Sequence, residues 1–202
     1  MTIVLEKLLT QALEDIGFGN GGEHVIYQLH LEEVNLREMP PPYQAQLKNR
    51  AFDLMMNEIP GRLNRKFEGQ LIRPFGAREL DGKDPSLYKI LFETYCNATF
   101  WSEYHSPFSM RLWTGESGFI VAVAQLGQGF NAIDIDRSKK IQNAGCGFDM
   151  FRTQQGYEVF FDNPVDARTV YVMHRMSNPL EGPSEDVLAT IEMFKKLRQP
   201  TQ

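Results

Sequence analysis

Glu93 and Asn97 stand four residues apart in the run Glu93-Thr94-Tyr95-Cys96-Asn97-Ala98. On a helix that spacing turns both side chains to one face. An amide oxygen is a hard ligand suited to Mg²⁺, and a neighbouring carboxylate can orient or deprotonate a water or hydroxyl. A second group follows at Gln125-Leu126-Gly127-Gln128-Gly129-Phe130. Glycines two apart let a backbone turn sharply and come close to a ligand. A third is Asn143-Ala144-Gly145-Cys146-Gly147-Phe148, placed directly before an expected helix that begins with Phe148–Phe151. Glycines feeding a helix N-terminus offer backbone N–H groups and a positive dipole end to phosphate. Together the three groups would suit a ligand that carries phosphate and metal.

These residues need a scaffold. Leu5, Leu8, Leu9, Ala12, Leu13 and Ile16 recur at helical spacing, which predicts an amphipathic helix over 4–16. Val25, Tyr27, Leu29 and Leu31 alternate with His24, Ile26, Gln28 and His30, which predicts a strand with one apolar face. A second helix follows Pro40–Pro42, with Leu47, Ala51, Leu54 and Met55 as its buried stripe and Pro60-Gly61 as its stop. Residues 62–84 read as polar and irregular. Pro85 opens a third helix through Leu87, Ile90, Leu91, Tyr95 and Ala98, and Glu93 and Asn97 flank that stripe. The period then changes to two. Phe108, Met110 and Leu112 alternate as a strand, and Phe119–Ala124 is an apolar run suited to a central one. Residues 125–147 read as a glycine-punctuated loop, and Tyr157–Phe161 with Thr169–His174 as a closing hairpin. Ser177–Ser184 reads as a linker and Asp186–Leu197 as a terminal helix. The expected architecture is α+β: a two-layer sandwich whose mixed, mostly antiparallel sheet carries helices on one face. Its domain would span 1–176, with 177–202 as linker and C-terminal helix.

Composition narrows the functions. With 202 residues the chain can build a full core unaided. Its 21 basic and 26 acidic residues leave a net charge of −5, which argues against a nucleic-acid footprint. Its apolar runs are too short for a spanning helix, and Glu6, Lys7 and Glu14 interrupt any leader-like segment. Cys96 and Cys146 form no disulfide framework, so the cytoplasm is the expected compartment. Cys96 reads as helix packing, and Cys146 as a loop thiol next to a helix start. His24, His30, His105 and His174 have no zinc-like spacing.

In order and spacing the three groups resemble the nucleotide-binding domain of the GHKL superfamily, which includes histidine kinases, gyrase-type ATPases and anti-sigma-factor kinases. The resemblance covers residues 85–175. It implies a Bergerat-like fold and binding of a purine nucleotide, ATP, with Mg²⁺, with weak ATPase or protein kinase activity as the expected chemistry. By that resemblance Asn97 holds the metal, and Glu93 is the catalytic acid group that handles the nucleophile. Gly127 and Gly129 lie beneath the base, and Gly145 and Gly147 at the phosphates. Residues 130–144 form a lid whose cations are Arg137, Lys139 and Lys140. The family's first glycine box opens with aspartate, and here that position is Gln125. A glutamine can accept from an adenine amino group, donate to guanine O6, or mark a site that has lost its nucleotide. The last case implies a regulatory module that binds a protein partner, or a second copy of the chain, without hydrolysis.

Overall fold

The computed structural model describes residues 2–29, 35–67, 87–100, 103–104, 107–137 and 156–176. The chain is an α+β protein built on one six-stranded sheet. In chain order the strands are β1 (Thr2–Ile3), β2 (Glu23–Gln28), β3 (Pro107–Thr114), β4 (Gly118–Gln125), β5 (Tyr157–Phe161) and β6 (Thr169–Arg175). The sheet order is β1-β5-β6-β4-β3-β2. Every pairing is antiparallel except that of β1 with β5. The expected mixed, mostly antiparallel sheet is therefore present. The apolar run of β4 is explained by its place between β3 and β6, with both faces covered.

The helices are α1 (Leu9–Asp15), α2 (Pro41–Asp53), α3 (Ile59–Lys66), α4 (Leu87–Phe100) and α5 (Ala132–Arg137). Leu54, Met55, Ile59 and Leu63 from the α2–α3 region and Leu87, Ile90, Leu91, Tyr95 and Ala98 from α4 form one core. They share it with Tyr27, Met110, Leu112, Val121, Val159 and Val172 of the sheet. The alternate strand residues Trp113, Ile120, Ala122, Phe160, Tyr171 and Met173 face the other way, where Ala12 and Ile16 of α1 join them. The larger helices thus share one face, and α1 adds a small second layer on the other.

Several sequence expectations are corrected. The first helix does not begin near residue 4: Thr2–Ile3 pairs with β5, Val4 donates to the Val159 carbonyl, and α1 starts only at Leu9. Residues 4–8 instead pass through a turn at 5–6, in which Leu5 packs against the core and Leu8 stays exposed. Lys7 fixes the turn. Its Nζ lies 2.6 Å from both Asp15 and Glu158, and Arg175 bridges the same two carboxylates at 3.5 and 2.6 Å. Pro60-Gly61 does not stop the second helix. A π-helical turn, Leu54–Glu58, joins α2 to α3, and Pro60 sits in the first turn of α3. The wider turn shifts the hydrogen-bond register there, so the missing proline N–H breaks nothing. Residues 62–66 are accordingly helical. The expected loop 125–147 contains α5, capped by Asn131, whose side chain accepts from the Asp134 N–H at 3.1 Å. Pro85, the Phe148–Phe151 helix and the 177–202 segment lie outside the described residues.

His174, on β6, has a fixed environment. Its Nδ1 is 2.6 Å from the Gly156 carbonyl oxygen, and its ring centroid lies 4.9 Å from Tyr157 and 5.4 Å from Phe119. Burial lowers its pKa, only partly offset by the carbonyl. The unfolded chain, with an imidazole near pKa about 6.5, then binds the proton more readily than the native state. Stability is full above that value and falls as pH drops through the lowered native pKa. His174→Gln should flatten the wild-type decline in melting temperature below pH 6.5. Identical pH profiles in the two proteins would refute this.

Candidate functional site

Helix α4 presents three kinds of surface. Ile90, Leu91, Thr94, Tyr95 and Ala98 are buried. Phe92 is exposed. Glu93, Cys96 and Asn97 are half-buried along one border of the core-facing stripe. The helical spacing therefore places Glu93 and Asn97 together on α4, as expected. Among the described residues neither has a side-chain hydrogen-bond partner. Thr94 and Thr99, by contrast, return their hydroxyls to the Ile90 and Tyr95 carbonyls at 2.8 and 2.9 Å. The Cys96 thiol is pushed up by burial and by the neighbouring Glu93 charge. Helical spacing puts Glu93 on the Cys96–Asn97 flank of the helix.

The loop after β4 is held at the end of the sheet that α4 runs toward. Gln125 donates its backbone N–H to the Arg168 carbonyl at 2.9 Å, and its side-chain Nε2 reaches the Gln128 carbonyl at 3.4 Å. With the amide so oriented, Oε1 remains the acceptor. Gln128 donates its N–H to Glu103 Oε2 at 3.0 Å. Glu103 and its neighbour Tyr104 follow α4 in sequence, and the Asn35 side chain and Leu36 N–H bind their carbonyls at 3.1 and 2.9 Å. Three chain segments therefore meet here: residues 35–36, the stretch after α4, and the 125–129 loop.

The two glycines of the loop have structural duties. Gly127 has φ +81°, and a Cβ there would lie 2.5 Å from Glu103 Oε2. Gly129 lies against the β5–β6 turn. Its N–H donates to Asp166 Oδ1 at 2.9 Å, and a Cβ would come within 2.6 Å of the Asp166 carbonyl carbon and 2.8 Å of the Ala167 oxygen. Both close approaches are thus to protein. Phe130 and Ala167 exchange backbone hydrogen bonds at 3.1 and 2.8 Å, which locks the loop to the turn. Gly129→Ala should cost about 1–3 kcal/mol, because backbone on both sides must move. Urea unfolding measures it, and an unchanged midpoint would show that the turn yields freely.

Sequence reasoning missed Glu103 and Asp166, the two carboxylates that hold the loop. Neither has a spacing signal. Asp166 belongs to a turn-forming run, Asp162-Asn163-Pro164-Val165-Asp166, in which Asp162 Oδ1 accepts three backbone N–H groups, from Asn163, Arg168 and Thr169. Lys139, Lys140, Gly145, Cys146 and Gly147 lie outside the described residues, as does the second part of the expected lid, 138–144. Among the described residues no cluster of three or more His, Cys, Asp or Glu side chains could hold a metal ion. Any Mg²⁺ here would rest on Asn97 and on ligand oxygens, a coordination that suits an ion reluctant to shed water. Among the described residues no helix is long and apolar enough to cross a membrane. No known protein family, curated protein or solved structure matches this chain.

Proposed function

We propose that the chain is a GHKL-like domain that binds an adenine nucleotide with Mg²⁺ at the end of the sheet where α4 and the 125–129 loop approach each other. The observation that carries this reading is the Gln128–Glu103 hydrogen bond, which ties the loop after β4 to the residues following α4. Sequence elements 25 positions apart thereby border one region, in the order the resemblance requires. Gln125 Oε1 is the acceptor for the adenine amino group, since its Nε2 is directed at Gln128. Guanine would present an oxygen to that oxygen, so the reading favours ATP over GTP. Asn97 supplies the amide oxygen for the metal, and Glu93, half-buried beside it, orients a water or hydroxyl. Bound Mg²⁺ would neutralise phosphate charge, and the protein's part is positioning. If the chain turns ATP over, it acts as a slow ATPase or protein kinase.

A second reading rests on the packing of Gly127 and Gly129 against Glu103 and Asp166. With those close approaches filled by protein, the same scaffold can serve as a regulatory module that binds a protein partner without hydrolysis. Thermal shift separates the two. ATP and ADP with Mg²⁺ should raise the melting temperature at millimolar concentration, and GTP should do so less. A folded protein indifferent to every nucleotide would exclude the first reading.

A further inference from the structure

The two edges of the sheet are unlike. β1 is two residues long, and the chain leaves it through the turn at 5–6. β2, at the far edge, runs six residues in unbroken register with β3, from Glu23↔Thr114 to Gln28↔Ser109. Among the described residues no strand pairs with its outer side. Alternate residues of such a strand turn their N–H and C=O groups outward, a template for another strand. Edges are usually blunted by lysine, proline or a bulge. β2 carries none of these: it reads Glu23-His24-Val25-Ile26-Tyr27-Gln28, with its carboxylate at the first position. Ile26, at mid-strand, is 55% exposed on the face opposite α4. His24, on the same face, stacks on Trp113 at 4.5 Å between ring centroids, and burial and Arg111 hold its pKa below the usual value. Positions 24–28 are therefore uncharged at neutral pH.

The pleat restricts how two β2 strands can pair. Directly opposed residues of an antiparallel pair share a face, whereas neighbours along one strand face opposite ways. About a twofold axis normal to the sheet, one residue must therefore lie opposite itself. With the axis at Ile26, the two Ile26 side chains meet. His24 then faces Gln28 of the second copy on that side of the sheet, and Val25 faces Tyr27 of the second copy on the other. Glu23 falls opposite Leu29, so the two Glu23 carboxylates stand about 20 Å apart along the strands. That exceeds two Debye lengths of about 8 Å at physiological salt, and each Glu23 is already held by Arg62 at 2.7 Å. An axis at Val25 would instead set Glu23 against the buried Tyr27 and Ile26 against His24. The Ile26 register therefore joins the exposed apolar residue to itself and keeps the charges apart.

We propose that β2 is the interface for a second copy of this chain: two β2 strands pair antiparallel about a twofold axis at Ile26, and the two six-stranded sheets become one. The strand opposite must be uncharged along 24–28 and must present an exposed apolar residue at its centre. β2 meets both conditions for itself. Ladder hydrogen bonds supply the attraction, and the Ile26 pair fixes the register. The contact is isologous, so it closes at two copies. A third copy would have to add at β1, whose two residues offer too short a ladder. No residue of the candidate nucleotide site lies on β2, so the two readings stand or fall separately.

Sedimentation equilibrium of the full chain, from micromolar to hundreds of micromolar, should show monomer and dimer and nothing larger. Ile26→Lys should raise the dimer dissociation constant at least about tenfold, because it removes two buried side chains and sets two ammonium groups opposite each other. Ile26 is exposed in the single chain, so circular dichroism of this variant should match wild type. Ile26→Thr keeps a β-branched, uncharged residue, and should weaken the dimer severalfold without adding charge to the strand. Ile26→Cys should link to itself under mild oxidation, since opposed residues of an antiparallel pair have Cα atoms about 4.5–5.5 Å apart, within disulfide reach. Val165→Cys, at a position 58% exposed in the β5–β6 turn, should not, and mass spectrometry of the linked peptides tells the two apart. A chain monomeric throughout, a dimer unaffected by Ile26→Lys, or linkage through Val165→Cys as fast as through Ile26→Cys would each overturn the assignment.

Discussion

Gln125→Asp should tighten ATP binding by about one decade, because a charge-assisted hydrogen bond is worth about 1.5–3 kcal/mol against about 0.5–1.5 for the neutral one it replaces. The side chain at this position ends β4, where its backbone is fixed by the Arg168 carbonyl, so the substitution leaves the strand intact. What it removes is a single 3.4 Å contact to the Gln128 carbonyl. What it adds is a carboxylate that only accepts, matched to an exocyclic amino group. Free protein gains no such partner. It gains a third carboxylate near Glu103 and Asp166, although both already accept backbone N–H groups from this loop. The ligand-free fold should therefore lose a little stability while the complex gains affinity, and calorimetric titration against ATP resolves the two. GTP, with an oxygen at the corresponding edge, should bind the variant no better than wild type. Equal gains for both nucleotides would trace the effect to something other than base recognition, and no gain for either would remove Gln125 from the site.

The sequence carried the sheet better than its edges. Phe119–Ala124 is apolar at every position because β4 is covered on both faces, the pattern of a central strand. Tyr157–Phe161 and Thr169–His174 were equally legible, because an alternating pattern flanks an Asp-Asn-Pro turn. Residues 4–8 failed because apolar residues at helical spacing also occur in a turn from which only some of them reach the core, Leu5 but not Leu8. Pro60 failed because proline is a stop signal only for a regular α-helical register, and a π turn carries the helix through it. At the site, Glu93 and Asn97 were readable as a pair since four residues of helix fix their relation. The reason for each glycine was not. A sequence records that Gly127 and Gly129 lack a Cβ, but not whether ligand or protein fills that space, and here Glu103 and Asp166 do.

Removing the two polar groups of α4 one at a time should separate binding from chemistry. Asn97→Ala should abolish the Mg²⁺-dependent part of ATP affinity, so that titrations with metal and with chelator give the same dissociation constant. Glu93→Ala should keep that metal dependence and lower any turnover by about 10²–10⁴-fold, the usual contribution of a positioned general base. Neither change should weaken the fold. Both side chains are half-buried and, among the described residues, without a hydrogen-bond partner, so truncation orphans no buried group. Alanine is also the better helix former at each position. Cys96 provides an internal control on Glu93. Its thiol is raised by burial and then by the Glu93 charge, so Glu93→Ala should lower the thiol pKa and speed its alkylation at a fixed pH near 8. A faster Cys96 with unchanged turnover would place the carboxylate correctly and deny it the catalytic role. Unchanged metal dependence in Asn97→Ala would go further, since no other described side chain on this border of α4 offers Mg²⁺ an amide oxygen, and the nucleotide would then have to bind elsewhere.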